Sequence, residues 1–122
     1  MSNPIKNPVI GIVDNDASIL DALALVLEEL GYQVEGFSTG ARFLEYADSQ
    51  PVDLVFLDPH LPGQNGKDVF LCLGNSIPTI ILTASPNAPL TRELLELGAT
   101  ELIIKPASLE TLQRVLEKHL CP

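Results

Sequence analysis

The sequence predicts an α/β fold, a doubly wound sheet of five parallel strands with helices on both faces. Three observations carry this expectation. Short apolar runs alternate with helix-like runs five times along the 122 residues, with no internal repeat. The first run, Val9-Ile10-Gly11-Ile12-Val13, is apolar throughout, as a strand buried on both faces must be. Four runs lead into a chemically capable side chain: Asp14, Asp58, Thr83 and Lys105. Strand–helix alternation implies parallel pairing through right-handed crossovers. Parallel pairing gathers the strand ends at one edge, where open α/β sheets place their sites.

The elements follow in order. Residues 9–13 form the first strand. Over 17–30, Ile19, Leu20, Leu23, Leu27 and Leu30 recur at helical spacing, and Gly31 stands at the C′ position. Asp16 or Ser18 caps that helix. A weaker strand is expected over 32–37. A short helix over 41–47 turns Phe43, Leu44 and Ala47 inward. Leu54-Val55-Phe56-Leu57 is the third strand, ending at Asp58, and the Pro and Gly content of 59–66 makes it a loop. The helix over 67–73 has the apolar body Val69-Phe70-Leu71-Cys72-Leu73, which places Cys72 in or near the core. Thr79 to Leu82 is the fourth strand. Pro86 and Pro89 stiffen the connection into a helix over 90–97, closed by Gly98. The fifth strand covers 101–104. Ser108 caps the last helix, with Glu110 in its first turn and His119 in its last, each where its charge suits the helix dipole. Leu109, Leu112, Val115, Leu116 and Leu120 are its expected core residues.

The length allows one domain with a single core, the domain being expected over 9–122 after an N-terminal tail over 1–8. Hydrophobic residues make up 46% and charged residues 19%, a globular composition. The net charge of −9 argues against direct nucleic-acid binding, because phosphate backbones require a basic surface. The polar opening segment has no signal-peptide core, and no apolar stretch reaches the roughly 18 residues that span a bilayer. The thiols, Cys72 and Cys121, lack metal-ligand spacing and read as reduced and cytoplasmic. A carboxylate cluster with one lysine and one hydroxyl suits a hard cation and a phosphoryl group.

Four motifs in order now carry a resemblance: Val13-Asp14-Asn15-Asp16; Leu57-Asp58 with Pro62-Gly63 and Gly66 after it; Leu82-Thr83-Ala84; and Ile104-Lys105-Pro106. From about Val9 to Leu120 the chain resembles the receiver domain of bacterial two-component response regulators, in the style of the subgroup often joined to a helix-turn-helix output domain. The resemblance implies a flavodoxin-like (βα)5 fold and a signalling role rather than an enzyme's. It makes Asp58 the phosphoacceptor, charged by a histidine kinase or phosphotransfer protein. It implies Mg2+ (or Mn2+) held by Asp14, Asp58, the main-chain carbonyl of His60 and Asn15. Lys105 and Thr83 would bind phosphoryl oxygens, and Ala84 would leave them room. The Lys105–Pro106 peptide would be cis. Thr83 and Leu102 would form the switch. The output face, for an output domain or a second copy, would combine the helix over 90–97, the strand over 101–104 and the last helix.

The chain departs from the family pattern at two of these positions. Asn15 stands where a second acid is usual; it keeps a carbonyl acceptor and loses a negative charge. Leu102 stands where the switch residue is usually aromatic. Each motif residue also has an ordinary reading. A strand-end Asp is commonly a turn residue, Thr83 a β-branched strand residue, and Lys105 a solvated charge. Asp16 is a helix cap rather than a metal ligand, and the His60 side chain is a loop residue rather than a general base. Two other functions stay open. A degenerate receiver would bind partners without phosphorylation. A haloacid-dehalogenase-like phosphohydrolase would use Asp14 of Asp14-Asn15-Asp16 as nucleophile, but it leaves Asp58 and its loop unexplained and needs a downstream acidic pair. An FMN-binding protein is disfavoured, since acids after the first strand repel phosphate.

Overall fold

The computed structural model describes residues 8–63 and 65–120. Residues 1–7 of the expected tail, and Cys121, lie outside that range. Ten elements alternate: β1 Val9–Val13, α1 Ala17–Glu29, β2 Gln33–Phe37, α2 Gly40–Ser49, β3 Leu54–Leu57, α3 Gly66–Leu73, β4 Thr79–Thr83, α4 Pro89–Leu97, β5 Glu101–Ile104 and α5 Leu109–Leu120. The five strands form one parallel sheet in the order β2-β1-β3-β4-β5. The order reverses between β1 and β3, the point at which open α/β sheets place their sites.

The single core expected from length is instead two, one on each face of the sheet, because the pleat sends alternate strand side chains to opposite faces. Ile10, Ile12, Leu54, Phe56, Ile80, Leu82 and Ile103 face Leu23 and Leu27 of α1 and Leu112, Val115 and Leu116 of α5. The alternate residues Val13, Val55, Leu57 and Ile81 face Phe43 of α2, Val69 and Phe70 of α3 and Leu94 of α4. β1, β3 and β4 are therefore buried on both faces, which is why they read as continuous apolar runs.

Local signals place the helix ends. Asp16, not Ser18, is the N-cap of α1; its carboxylate accepts the Ser18 N–H at 3.0 Å. α2 begins earlier and ends later than its apolar residues suggest, because Thr39 caps it through the Arg42 N–H and its last turn is polar. Asn65 caps α3, and the Ser108 hydroxyl accepts the Thr111 N–H at the start of α5. Gly98 closes α4 at φ +116°, a left-handed conformation that favours glycine. Two core assignments are corrected. Cys72 is exposed, because the outward face of α3 carries Leu71 and Cys72 while Val69 and Phe70 turn inward. Leu109 is 52% exposed, because α5 starts beyond the sheet edge and reaches its core only at Leu112.

Candidate functional site

The sheet ladder runs one residue past three strands, and this fixes the site. The backbone N–H of Asp14 donates to Phe37 O at 3.0 Å, that of Asp58 to Val13 O at 2.9 Å, and that of Lys105 to Thr83 O at 2.9 Å. Each side chain therefore leaves an anchored backbone at the carboxyl edge. The Lys105–Pro106 peptide is cis.

Lys105 joins the two acids. Its Nζ lies 2.7 Å from Asp14 Oδ2 and 3.0 Å from Asp58 Oδ2. The contact to Asp58 is a hydrogen bond as well as a charge pair. The contact to Asp14 lacks that alignment, so Asp14 Oδ2 is fully buried beside an ammonium yet has no hydrogen-bond donor. The other oxygens are satisfied locally: Asp14 Oδ1 accepts the Asp16 N–H, and Asp58 Oδ1 accepts the His60 N–H, both at 2.9 Å. Burial pulls the Lys105 pKa down, but the two carboxylates beside it more than offset this and raise it above the usual lysine value. Lys105 is thus held in its charged form beside both carboxylates.

Asp58 is 8% exposed and Asp14 only 1%. Of the two carboxylates, Asp58 is the one a reagent can reach. Gly66 shapes its loop. The Gly66 N–H donates to Pro59 O at 2.8 Å, and a Cβ at Gly66 would sit 2.7 Å from Pro59 Cα. Only glycine lets α3 start this close to the loop after Asp58. Thr83 is buried, and its hydroxyl accepts the Ser85 N–H at 2.9 Å. Ala84, Asn15 and the His60 side chain are exposed around the cleft, and Leu102 is half-buried against the α2–α3–α4 core. The structure thus joins Asp14, Asp58 and Lys105 directly. Ser85 and Thr91, whose hydroxyl donates to Ser85 O, escaped the sequence reading. Thr91 had one signal, its place three residues before Leu94 on the inward stripe of α4.

The donor set fits a small hard cation. Two carboxylates converge on one point, and one of their oxygens is a buried acceptor without a donor. Among the described residues no three carboxylate, imidazole or thiol groups form a closed cage. Mg2+ favours this kind of open site, with one or two carboxylates and the remaining positions left to water and substrate oxygens.

Comparison with known proteins supports the fold and identifies the family. The tetrathionate response regulatory protein TtrR of Salmonella typhimurium is 33% identical over 91% of this chain, which matches 55% of that protein's length. The chain spans about half, or less, of the curated relatives it matches. A CheY-like receiver domain protein from Methanospirillum hungatei superposes with a TM-score of 0.85 at 27% identity, covering 93% of each chain. The receiver domain of a sensor histidine kinase from Pseudomonas aeruginosa, with magnesium in its active-site cleft, shares the fold. Its TM-score is 0.85 at 24% identity, over 93% of this chain and 97% of that one. The sequence profile of the response regulator receiver domain matches residues 10–117, and with it the chain belongs to that family.

Proposed function

We propose that this domain acts in the cytoplasm, accepts a phosphoryl group on Asp58 from the phosphohistidine of a histidine kinase or phosphotransfer protein, and relays the change to an output domain or partner. The observation that carries this reading is the convergence of Asp14 and the more accessible Asp58 on one Lys105 ammonium. An Asp58 carboxylate oxygen attacks phosphorus, the P–N bond breaks, and an acyl phosphate forms as the imidazole leaves and recovers a proton. Asp14, Asp58, the His60 carbonyl and Asn15 would hold Mg2+. Bound Mg2+ supplies positive charge that offsets repulsion between the attacking carboxylate and the phosphoryl oxygens. Lys105 moves its ion pair from Asp58 to a phosphoryl oxygen, and the Thr83 hydroxyl donates to another. Ala84 leaves space beside them. An apolar groove of about 220 Å3 between α1 and the 105–107 segment gives the donor protein a nonpolar footing next to the site. The chain turns over no substrate of its own in this reading.

The output face is α4-β5-α5. Thr83 and Lys105 both adjoin it, and it exposes Leu95, Leu97, Ile104 and Leu109. Those side chains suit an output domain or a second copy.

Acetyl phosphate with Mg2+ followed by intact mass tests the assignment. The parent gains one base- and hydroxylamine-labile phosphoryl group, and Asp58→Ala gains none. Labelling that persists in Asp58→Ala removes Asp58 as acceptor. A parent that never labels is a receiver that binds partners without phosphorylation. Turnover of p-nitrophenyl phosphate would instead point to a hydrolase built on Asp14.

A further inference from the structure

Ser85 is held from two sides by buried threonines. Its N–H donates to Thr83 Oγ1 at 2.9 Å, and its carbonyl accepts the Thr91 hydroxyl at 3.0 Å. Thr83 is 1% exposed and Thr91 0%. Thr83 ends β4 at the site, and Thr91 lies in the first turn of α4. That helix begins without a side-chain cap: its N-cap is Ala88, and Pro89 follows. The Ser85 carbonyl also accepts the Ala88 N–H at 3.2 Å. The start of α4 is therefore tied to the site through one residue. Between Ser85 and Thr91 stand Pro86 and Pro89, whose locked φ angles leave few soft torsions to absorb a displacement.

A hydroxyl has one proton and two lone pairs. The Thr83 oxygen now uses a lone pair on Ser85 N–H. When the hydroxyl turns to donate to a phosphoryl oxygen, its lone pairs turn with it. Ser85 N–H then follows or loses its partner, and the carbonyl of the same residue shifts against Thr91.

We propose that Thr91 is the positioning residue through which the site moves α4, by the chain Thr83–Ser85–Thr91. This rests on the phosphoacceptor reading of Asp58. The route needs no aromatic switch, which this chain replaces with the half-buried Leu102. A buried threonine bonded to a carbonyl is also an ordinary loop anchor. The two roles differ in one respect. An anchor alters α4 equally with and without the phosphoryl group, whereas a coupling residue alters the difference between the two states. One hydrogen bond shifts such an equilibrium about two- to tenfold.

The experiment uses the whole chain as parent, Thr91→Val, Thr91→Ala and Thr91→Ser. Each is treated with acetyl phosphate and Mg2+, its label counted by intact mass, and amide exchange followed over residues 85–97 before and after labelling. All four should label on Asp58. The parent and Thr91→Ser should show the phosphoryl-dependent change in exchange, and the two variants without a hydroxyl should show it reduced at least about twofold. Thr91→Ala guards against misfolding from the added methyl of valine, and a cooperative thermal transition confirms that each variant is folded. A labelled variant lacking the hydroxyl, with the parent's full response, overturns the coupling and leaves the acceptor assignment intact. A parent without label overturns the acceptor assignment and the coupling with it.

Discussion

Asn15 stands exposed beside Asp14, where one more negative charge would face an incoming cation. Hard cations gain from carboxylate charge, so Asn15→Asp should tighten Mg2+ or Mn2+ binding. A gain of about one kcal/mol is a roughly fivefold lower dissociation constant. Metal titration of both proteins measures it, and unchanged affinity would place Asn15 outside the coordination shell. The ion-paired trio was legible at this scale because each member ends an apolar run: Asp14 after β1, Asp58 after β3 and Lys105 after β5. Thr91 was not. A threonine on the inward stripe of a helix reads as packing, and its hydroxyl gains meaning only from the path of the loop that carries Ser85.

The α3 helix starts against the loop after Asp58 with no room to spare. Gly66→Ala would drive a methyl into the backbone of Pro59, which cannot rotate away as a side chain can. Crowding of this kind costs about 1–3 kcal/mol. Gly66→Ala should lower the thermal midpoint by several degrees and also slow labelling of Asp58, since the same loop presents both. A variant with the parent's midpoint and labelling rate would show that the loop yields freely. α3 is also tied to α4 by the Lys67–Glu93 pair at 2.6 Å, an exposed contact that salt should screen. Element types and order were legible from period and punctuation, because both-face burial and helical spacing leave different patterns. Which face of a short helix turns outward was not. Cys72 and Leu109 belong to apolar stretches, yet α3 buries only one side and α5 begins before it meets the sheet.

Across the whole domain, one polar cluster fastens the sheet edge to the last helix. Glu101 on β5 meets His119 Nε2 at 2.7 Å, Arg114 at 3.3 Å and Lys118 at 3.5 Å. Burial raises the Glu101 pKa, but the His119 hydrogen bond and the two cations more than reverse this and hold it below 4.5. A carboxyl whose folded pKa is depressed contributes stability that is fully present above its unfolded value. That stability is lost as the pH falls through the lower folded value. The thermal midpoint should therefore fall as the pH drops below the ordinary glutamate range, and Glu101→Gln should flatten part of that fall. Arg114 and Lys118 are more than half exposed, so His119 should account for most of the effect. Parallel pH profiles of midpoint for the two proteins decide it, and identical slopes would mean that other carboxyls govern acid unfolding. This cluster lies at the opening of β5, away from the carboxyl edge, so acid loosening of α5 and chemistry at Asp58 are separable.

Asp14 Oδ2 has a thermodynamic consequence. Its contact with Lys105 Nζ at 2.7 Å is an ion pair without an aligned hydrogen bond, so a hard cation there would gain a charge partner. Any cation held there binds the folded chain and finds no equivalent site in the unfolded one. Mass action then couples occupancy to unfolding: a ligand at a hundred times its dissociation constant adds about 2.7 kcal/mol. For a domain of this size that is a rise of several degrees in the melting temperature. Heating the protein across a Mg2+ series should trace the binding isotherm, and Asp14→Ala should give a flat line. The melting curve thus becomes a gauge of how full the site is, readable without any phosphodonor, kinase or output partner.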